Sequence, residues 1–368
     1  MHGGMGPHAR LKSLALQMRT VQPPLPGAQP AAAAERFKVV ATTIERELAN
    51  QGVAALSVAV AHHGDVIWEQ GFGAADVRTG RRATPHTPFS LASISKPVTA
   101  TGLAVLAERD CIDLDSPIER YLGGARLSAA SPSTDVSGAT VRRVANHTAG
   151  LPLHYQFFFE DEDAERPPFA ETVRLYAKLA TPPGSHYQYS NLGYGLLDDI
   201  LARRGGHGSY ARFMDREIFG PLGLRNTAVD FGEGERLKAQ AAVRYTAEGE
   251  PIPFYSFDHP GGSAVWSSAH DLLQFALFHL GREWSRTPRP RLPRQIYLFL
   301  SVCGCHNIQH VGRLRAIYGE PSTPRWQWWR YSQPGGPRGD ACPDNCAGCS
   351  RGRWRVRSGM AIRPIGCI

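Results

Sequence analysis

The sequence predicts an α+β fold, in which an antiparallel sheet is flanked by helices and the chain carries a helical insert. Apolar residues at spacings of three and four over residues 35–50 indicate an amphipathic helix. Two β-rich runs over 55–76 then indicate a hairpin. From about residue 123 to 234, helical spacing broken by Gly and Pro indicates the insert.

The opening helix is predicted from "ERFKVVATTIERELAN", where Phe37, Val40, Ile44 and Leu48 fall on one side and Gly52 follows as a stop. Next comes "ALSVAVAHHGDVIWEQGFGAAD", in which a His-His-Gly-Asp turn separates two strands. Further helices are predicted in three stretches, namely "YSNLGYGLLDDILARRGG" stopped by Gly205, "YARFMDREIFGPLGL" ended by Gly220-Pro221, and "AHDLLQFALFHLG" closing near Gly281.

Positive charge is concentrated at one end of the 368-residue chain, whose formal net charge is +8. Residues 283–368 contain 14 arginines, no lysine and four acidic residues, and the remainder carries a net charge of −2. Residues 1–282 are therefore nearly neutral overall and lack the excess positive charge that binds a nucleic-acid phosphate backbone. We therefore expect no nucleic-acid partner, and binding through the basic tail is the least favoured alternative.

Three further features of the sequence limit the classes of protein to which the chain can belong. No apolar run approaches the roughly 20 residues of a membrane span. Residues 1–34 contain only the short, broken apolar stretch "LKSLALQM", so they predict a disordered lead-in and a cytoplasmic chain. The sequence carries no signal for an oligomeric state.

Cysteine and histidine predict no metal and no cofactor. Only Cys111 precedes residue 300, so the body has no disulfide framework. Cys342, Cys346 and Cys349 have the spacing of a cluster-binding loop, but no barrel pattern surrounds them. The histidines show no metal-ligand spacing.

Ser93 and Lys96 form the first candidate pair. They lie in "FSLASISKPVTATGLAVL", three residues apart at a predicted helix start, so their side chains share a face while Ser95 points elsewhere. A neutral lysine amine can accept the serine proton, which requires burial or a nearby cation to lower the lysine pKa. The alternative is a capped helix start with an exposed lysine.

Tyr189 and Asn191 form the second candidate pair, in "YQYSNLGY". A phenol at the mouth of a helix can pass protons between serine, lysine and a leaving group. The Asn191 amide can donate to a substrate carbonyl. The alternative, compatible with both roles, is that Ser190 or Asn191 caps the helix.

Five stretches in order resemble the serine-hydrolase family of class C β-lactamases, D-alanyl-D-alanine carboxypeptidases and esterases. They are "FSLASISKPVTATGLAVLAERDCIDLDSPIERYL", "VANHTAGLP", "PPGSHYQYSNLGYGLL", "IFGPLGLRNT" and "PGGSAVWSSAHDLLQFALFHL". The resemblance implies a β-lactamase/transpeptidase-like fold, with Ser93 as the acylated nucleophile, Lys96 and Tyr189 as its acid/base pair, and Asn191 at the substrate amide or ester. His147 is interpreted as structural, because Gly150 and Pro152 indicate a turn beneath the site.

The resemblance covers residues 35 to 281 and then ends. We expect three segments: a lead-in over 1–34, a shortened hydrolase domain over 35–282, and a poorly ordered Arg-, Pro-, Trp- and Cys-rich tail over 283–368. The tail has the texture of a frame-shifted translation, and only "QIYLFLSVCGC" in it resembles a strand. Without the family's later strands, we expect an incomplete sheet with an unpaired hairpin edge.

The family's third motif, Lys-Thr-Gly or His-x-Gly, has one loose candidate at His310-Val311-Gly312. The leading interpretation is therefore a serine hydrolase acting through an acyl-enzyme on a small-molecule or peptide substrate: a β-lactam, a D-Ala-D-Ala peptide or a small ester. The alternative is a catalytically defective or non-enzymatic penicillin-binding-like protein that lacks the third motif.

Overall fold

A computed structural model describes residues 31–163, 165–231 and 235–279, and the backbone of three strands at 296–303, 313–318 and 325–326. Its main sheet contains the strands β1 (Ala55–His62), β2 (Asp65–Asp76), β3 (Arg81–Arg82), β13 (Ile296–Cys303), β14 (Arg313–Tyr318) and β15 (Arg325–Trp326). The sheet is antiparallel and has the strand order β15-β14-β13-β1-β2-β3.

Strands β1 and β2 form the predicted hairpin. His63 and Gly64 make the turn with φ of 52° and 86°, and Val60 lies opposite Trp68. Turn residues with positive φ twist in the same sense as the strands they join, which favours a tight hairpin. A register shift between Val60 and Ala61 marks a bulge near the turn.

Helices cover both faces of this hairpin. The first helix, α1 (Ala31–Asn50), buries Phe37 in a stack against Trp68 with ring centroids 4.8 Å apart. Val40, Ile44 and Leu48 pack against the same cluster, so the predicted amphipathic face is confirmed. On the other side lies α10 (Ala269–His279), which contacts β1.

The expectation of an unpaired hairpin edge is wrong over Leu56–Ala61. These residues pair antiparallel with 298–303 of β13, the strand predicted from "QIYLFLSVCGC". An apolar strand supplies the backbone donors and acceptors that an exposed edge would otherwise leave to water. The tail also contains β14 and β15, two strands that the sequence analysis did not predict, because neither run is long enough to show a clear strand pattern. The other residues of 283–368, and residues 1–30, lie outside the described residues, so the segment boundaries stay predictions.

Between the hairpin and α10 the chain is mostly helical. The further helices are α2 (Ser95–Glu108), α3 (Val141–Ala145), α4 (Phe169–Tyr176), α5 (Asn191–Arg204), α6 (Tyr210–Met214), α7 (Gly220–Leu222), α8 (Glu235–Gln240) and α9 (Pro260–Ser263), with short 3₁₀ turns at Ala92–Ile94, Ile118–Tyr121 and Val136–Gly138. After α6 a π turn, Asp215–Phe219, leads directly into α7. The helical path therefore ends at Gly223 (φ 70°), and the predicted end at Gly220-Pro221 is three residues early.

The insert also contains short strands that the sequence does not indicate, because two or three residues carry no alternation. They and the neighbouring strands are β4 (Phe89–Ser90), β5 (Ser128–Ala129), β6 (Phe157–Phe159), β7 (Lys178–Leu179), β8 (Ala228–Val229), β9 (Arg244–Tyr245), β10 (Pro251–Ile252), β11 (Tyr255–Phe257) and β12 (Val265–Ser267). Strand β12 pairs with both β4 and β8, which brings residues far apart in sequence to one place.

The largest core surrounds α5. Leu192, Leu196, Leu197, Ile200 and Leu201 have no measurable exposure, and α2, α3, α4 and α6 all pack against this helix. Burial of each large aliphatic side chain contributes about 1.5–3 kcal/mol, so α5 is anchored firmly. Across the described ranges, no helix combines the length and apolarity that crossing a membrane requires.

Candidate active site

Ser93 lies at a sharp change of direction between strand and helix. The backbone N–H of Leu91 donates to the Val265 carbonyl at 2.9 Å, which continues the β4–β12 pairing. Ala92 then adopts φ 44°, a left-handed conformation that costs a non-glycine residue about 1–2 kcal/mol. The chain enters a 3₁₀ turn at this point, and Ser93 is left exposed two residues before α2.

Ser93 and Lys96 meet as predicted, with 3.3 Å between Oγ and Nζ. Ser95 is directed away from them, because its Oγ accepts from the Val265 N–H at 3.0 Å. Ser95 therefore ties the start of α2 to β12 and is not a second nucleophile candidate. The exposed-lysine alternative is excluded, since Lys96 is only 4% exposed.

Two further acceptors hold the Lys96 side chain. Its Nζ donates to Asn191 Oδ1 at 2.7 Å and to the Gly262 carbonyl at 2.8 Å. The aromatic rings of Tyr189 and Tyr194 lie 4.7 Å and 5.6 Å from Nζ, measured to the ring centroids. Among the described residues no carboxylate forms an ion pair with this amine.

Burial lowers the pKa of Lys96 from its ordinary 10.5 to about 7, because the charged form loses its hydration and gains no anion in return. Near neutral pH a large share of Lys96 is thus an uncharged amine with two N–H donors and one lone pair. The two shorter contacts, to Asn191 and Gly262, use the two donors. The lone pair is then left for the Ser93 hydroxyl, so the arrangement can move a proton from serine to lysine.

Asn191 is the first residue of α5, and Ser190 is its cap. Ser190 Oγ accepts from the Gly193 N–H at 2.9 Å and donates to the Pro152 carbonyl at 2.6 Å. The Asn191 N–H donates to the Leu153 carbonyl at 2.9 Å. Ser190 therefore caps this helix start, and the Asn191 amide contacts Lys96 from the first residue of the same helix.

His147 shapes the segment that carries Tyr189. Its Nδ1 accepts from the Ser190 N–H at 3.1 Å, its carbonyl accepts from the Gln188 N–H at 2.7 Å, and its ring lies 4.4 Å from the Tyr189 ring. Burial lowers the pKa of His147 to about 3, and the nearby Lys96 charge adds to the effect. A neutral His147 is consistent with the structural interpretation.

Gly262 is a site residue that the sequence analysis missed. Helix α9 is held by Asp198 Oδ2, which accepts from the Gly261 N–H at 2.6 Å, and by Thr99 Oγ1, which donates to the Gly261 carbonyl at 2.7 Å. A Cβ on Gly261 would approach Asp198 Cβ to 2.7 Å, so α9 can lie this close to α5 only with glycine there. The "PGGS" stretch was a possible signal for such an approach.

The structure brings together one group of potential metal ligands that the spacing of histidines in the sequence did not indicate. His154, Asp258 and His259 place one potential ligand atom each within 4.8 Å of the others. His154 Nε2 lies 2.6 Å from Asp258 Oδ2, and His259 Nδ1 lies 2.5 Å from Asp258 Oδ1. Because 104 residues separate His154 from Asp258, no motif spacing could reveal the group. The other candidates, His310-Val311-Gly312 and Cys342, Cys346 and Cys349, lie outside the described residues.

Comparison with known families agrees with this geometry. The family model described as Beta-lactamase matches residues 40–296, well over half of the chain. The chain belongs to the beta-lactamase family. The match takes in every residue of the candidate site and extends to the first residue of β13.

Several curated relatives in this beta-lactamase family are similar to parts of the chain. "Putative beta-lactamase-like 1" of Homo sapiens is 28% identical over 73% of the chain and 54% of its own length. Penicillin-binding protein 4* of Bacillus subtilis (strain 168) is 32% identical over 47% of the chain and 37% of its own length. Esterase EstB of Burkholderia gladioli is 31% identical over 53% and 50%. The chain thus spans about half, or less, of these relatives.

Solved structures show the same beta-lactamase-type fold. An octameric penicillin-binding protein homologue from Pyrococcus abyssi superposes with a TM-score of 0.57 at 21% identity, over 78% of this chain and 71% of the other. A class C beta lactamase from Rhodobacter sphaeroides superposes with a TM-score of 0.53 at 28% identity, over 71% and 68%. The predicted α+β fold class is confirmed.

Proposed function

We propose that this chain is a serine hydrolase that forms an acyl-enzyme on Ser93. The observation that carries the proposal is the set of contacts at Lys96 Nζ. Two acceptors, Asn191 Oδ1 and the Gly262 carbonyl, use the two donors of a neutral amine and leave its lone pair for Ser93. Burial keeps that amine close to its neutral form at working pH.

In the proposed first step, Lys96 accepts the hydroxyl proton as Ser93 Oγ attacks a substrate carbonyl carbon. A serine–acyl C–O bond forms, the bond from the carbonyl carbon to the leaving group breaks, and the leaving group receives the proton from Lys96. In the second step water cleaves the serine–acyl ester, releases the acid and restores the Ser93 hydroxyl. Splitting the reaction in this way replaces one high barrier with two lower ones.

Tyr189 and Asn191 have supporting roles in the proposal. The centroid of the Tyr189 ring lies 4.7 Å from Lys96 Nζ, and we assign the Tyr189 phenol, as the family resemblance implies, a share in the proton transfer with the lysine. The Asn191 amide oxygen is occupied by Lys96, which leaves the amide N–H₂ to donate to a substrate carbonyl. The names of the relatives, a penicillin-binding protein and an esterase, support the acyl-transfer class.

The substrate class extends over β-lactams, D-Ala-D-Ala peptides and small esters. Exposed apolar side chains border the segment that leads into Asn191: Leu153, Tyr155 and Tyr187 are 36%, 56% and 54% exposed. A rim of this kind favours substrates with an apolar or aromatic acyl group. Among the three classes, we propose an ester or β-lactam with such a group as the preferred substrate.

The test is the intact mass of the protein after incubation with a fluorescent penicillin and, separately, with an activated aromatic ester. We expect an adduct on the wild type that is absent from Ser93→Ala and retained in Ser133→Ala, an exposed serine in the insert. An adduct that decays with release of product indicates a hydrolase. A lasting adduct indicates a penicillin-binding protein without turnover, and an adduct that persists in Ser93→Ala, or none from folded protein, contradicts the proposal.

A further inference from the structure

A second group of chemically active side chains lies behind the acyl-transfer site. His154 follows Leu153, whose carbonyl holds the Asn191 N–H, and His259 precedes α9, whose Gly262 carbonyl holds Lys96. Asp258 lies between the two imidazoles and contacts one with each carboxylate oxygen, at 2.6 and 2.5 Å. The group therefore joins the two segments that present Asn191 and Gly262 to Lys96.

Burial disfavours the charged form of Asp258, but the hydrogen bonds from His154 and His259 outweigh this effect and hold the pKa of Asp258 well below its usual range. The side chains of Asp258 and His259 have no solvent contact, and that of His154 is 10% exposed. Within the described ranges, the hydrogen-bond and ion-pair partners of Asp258 are these two imidazoles, with no lysine or arginine. A buried carboxylate is stable only with a compensating cation or with ample hydrogen bonding.

Two imidazoles and one carboxylate are ligands suited to a first-row transition metal such as Zn²⁺, whereas oxygen-only sets suit Mg²⁺. We propose that His154, Asp258 and His259 form a Zn²⁺-class site with three protein ligands. The metal takes the place of the protons shared across the two contacts, and the Asp258 carboxylate then binds the metal directly. Three ligands leave a fourth position for water, which is common in zinc sites.

Metal binding at this site would require only small displacements of the ligand atoms. Bonds of about 2.0–2.1 Å in a tetrahedral site separate neighbouring ligand atoms by about 3.3 Å. The present separations are 2.6 Å from His154 Nε2 to Asp258 Oδ2 and 2.5 Å from His259 Nδ1 to Asp258 Oδ1, and one ligand atom from each residue lies within 4.8 Å of the others. Both imidazole nitrogens already face the same carboxylate, so metal binding requires the two N–O separations to widen by roughly 0.7–0.8 Å and the two nitrogens to take up the same tetrahedral spacing.

A metal here does not enter the acyl-transfer steps, because Ser93 and Lys96 need none. It cross-links the loop around His154 to the loop before α9, and it thus stabilises the frame around Asn191 and Gly262. The proposal is independent of the hydrolase proposal, and its test does not use substrate.

The experiment is Zn²⁺ binding to the full chain after its thiols have been alkylated, so that cysteine ligation does not contribute. Equilibrium dialysis with metal analysis gives the stoichiometry, and melting curves with Zn²⁺, with Mg²⁺ and with a chelator give the stabilisation. We expect one bound Zn²⁺ equivalent and a rise in Tm with Zn²⁺ and not with Mg²⁺. Asp258→Asn and His154→Gln should each lose that equivalent, with affinity falling more than the about 10–100-fold typical of losing an outer-shell partner.

His207→Ala is the matched control, because His207 also contacts a carboxylate, Glu217, but within the described part of the chain it belongs to no group of three potential metal ligands. It should retain the Zn²⁺ equivalent. If Asp258→Asn does not fold in the chelator, the more exposed His154→Gln decides. Wild type that binds no Zn²⁺, or equal binding by wild type and His154→Gln, overturns the proposal and leaves a proton-bridged His-Asp-His group.

Discussion

The side chains of Lys96 and Asn191 meet in a buried hydrogen bond of 2.7 Å, although 95 positions separate the two residues in the chain. One lies in the first turn of α2 and the other starts α5, so the contact depends on how these two helices pack. Both helices are anchored by the largest hydrophobic core. The presence of this bond therefore depends on the correct packing of the two helices at the site.

Acylation should depend on pH through Lys96. Its pKa is lowered to about 7 by burial, so the neutral base becomes more abundant as the pH rises through 7. The acylation rate with an activated ester in single-turnover experiments should rise through about pH 7 and then level off. A rate that stays constant across neutral pH in a protein that acylates Ser93 would remove Lys96 as the base.

The stability of the protein should also depend on pH through the titration of Lys96. Between about pH 7 and 10.5 the unfolded chain binds one proton at Lys96 that the folded chain does not, so the lysine's contribution to unfolding free energy becomes more favourable as the pH rises. The unfolding free energy of wild type relative to Lys96→Met should therefore increase over this range. The exposed Lys178→Met is the control and should show no such trend; an equal trend in both variants would contradict the assignment.

Asn191→Asp should move the acylation midpoint to higher pH. A carboxylate at the present 2.7 Å contact favours the lysine cation, and a neighbouring opposite charge shifts a pKa by about 1–3 units. The measurement is the same single-turnover pH profile. Gln188→Glu adds an identical charge to a half-buried side chain three residues earlier and should move the midpoint much less; equal shifts would mean that the effect is not local.

Ser190→Ala should destabilise the protein by about 2 kcal/mol, the upper part of the range for losing a helix cap. The loss leaves the buried Gly193 N–H and the Pro152 carbonyl without their hydroxyl partner. Urea unfolding measures the effect. Ser209→Ala removes the cap of the short helix α6, whose bond to Arg212 is exposed, and should cost about 1 kcal/mol or less. Equal costs would argue against a special role for burial at Ser190.

Gly150→Ala should be more destabilising than Gly249→Ala. Both glycines have positive φ, 82° and 90°, so both variants carry a backbone cost of about 1–2 kcal/mol. A Cβ at Gly150 would also lie 2.1 Å from the Thr181 carbonyl oxygen, while the one at Gly249 meets nothing within 4 Å. The difference between the two unfolding free energies isolates that clash, and a difference near zero would show that the turn beneath the site relaxes freely.

Local patterns were sufficient for much of the fold. The α1 face, the β1–β2 hairpin and α5 follow from the spacing of apolar residues and from turn residues, which act over a few positions. Strand β13 was visible for the same reason. The end of α7 was misplaced because Gly220 and Pro221 fit the first positions of a helix as well as its end.

By itself, the sequence determined which residues are candidates for the chemistry: a serine three residues before a lysine at a predicted helix start is expected to share a face with it, and Tyr189 and Asn191 lie at the start of another predicted helix. Only the tertiary structure decided that Lys96 is buried, that Gly262 supplies its third contact, and that His154 meets Asp258 and His259. Each of these depends on segments about 100 residues or more apart. Such contacts are set by the packing of α2, α5 and α9 around a common core. The spacing of residues along the sequence does not predict how these helices pack.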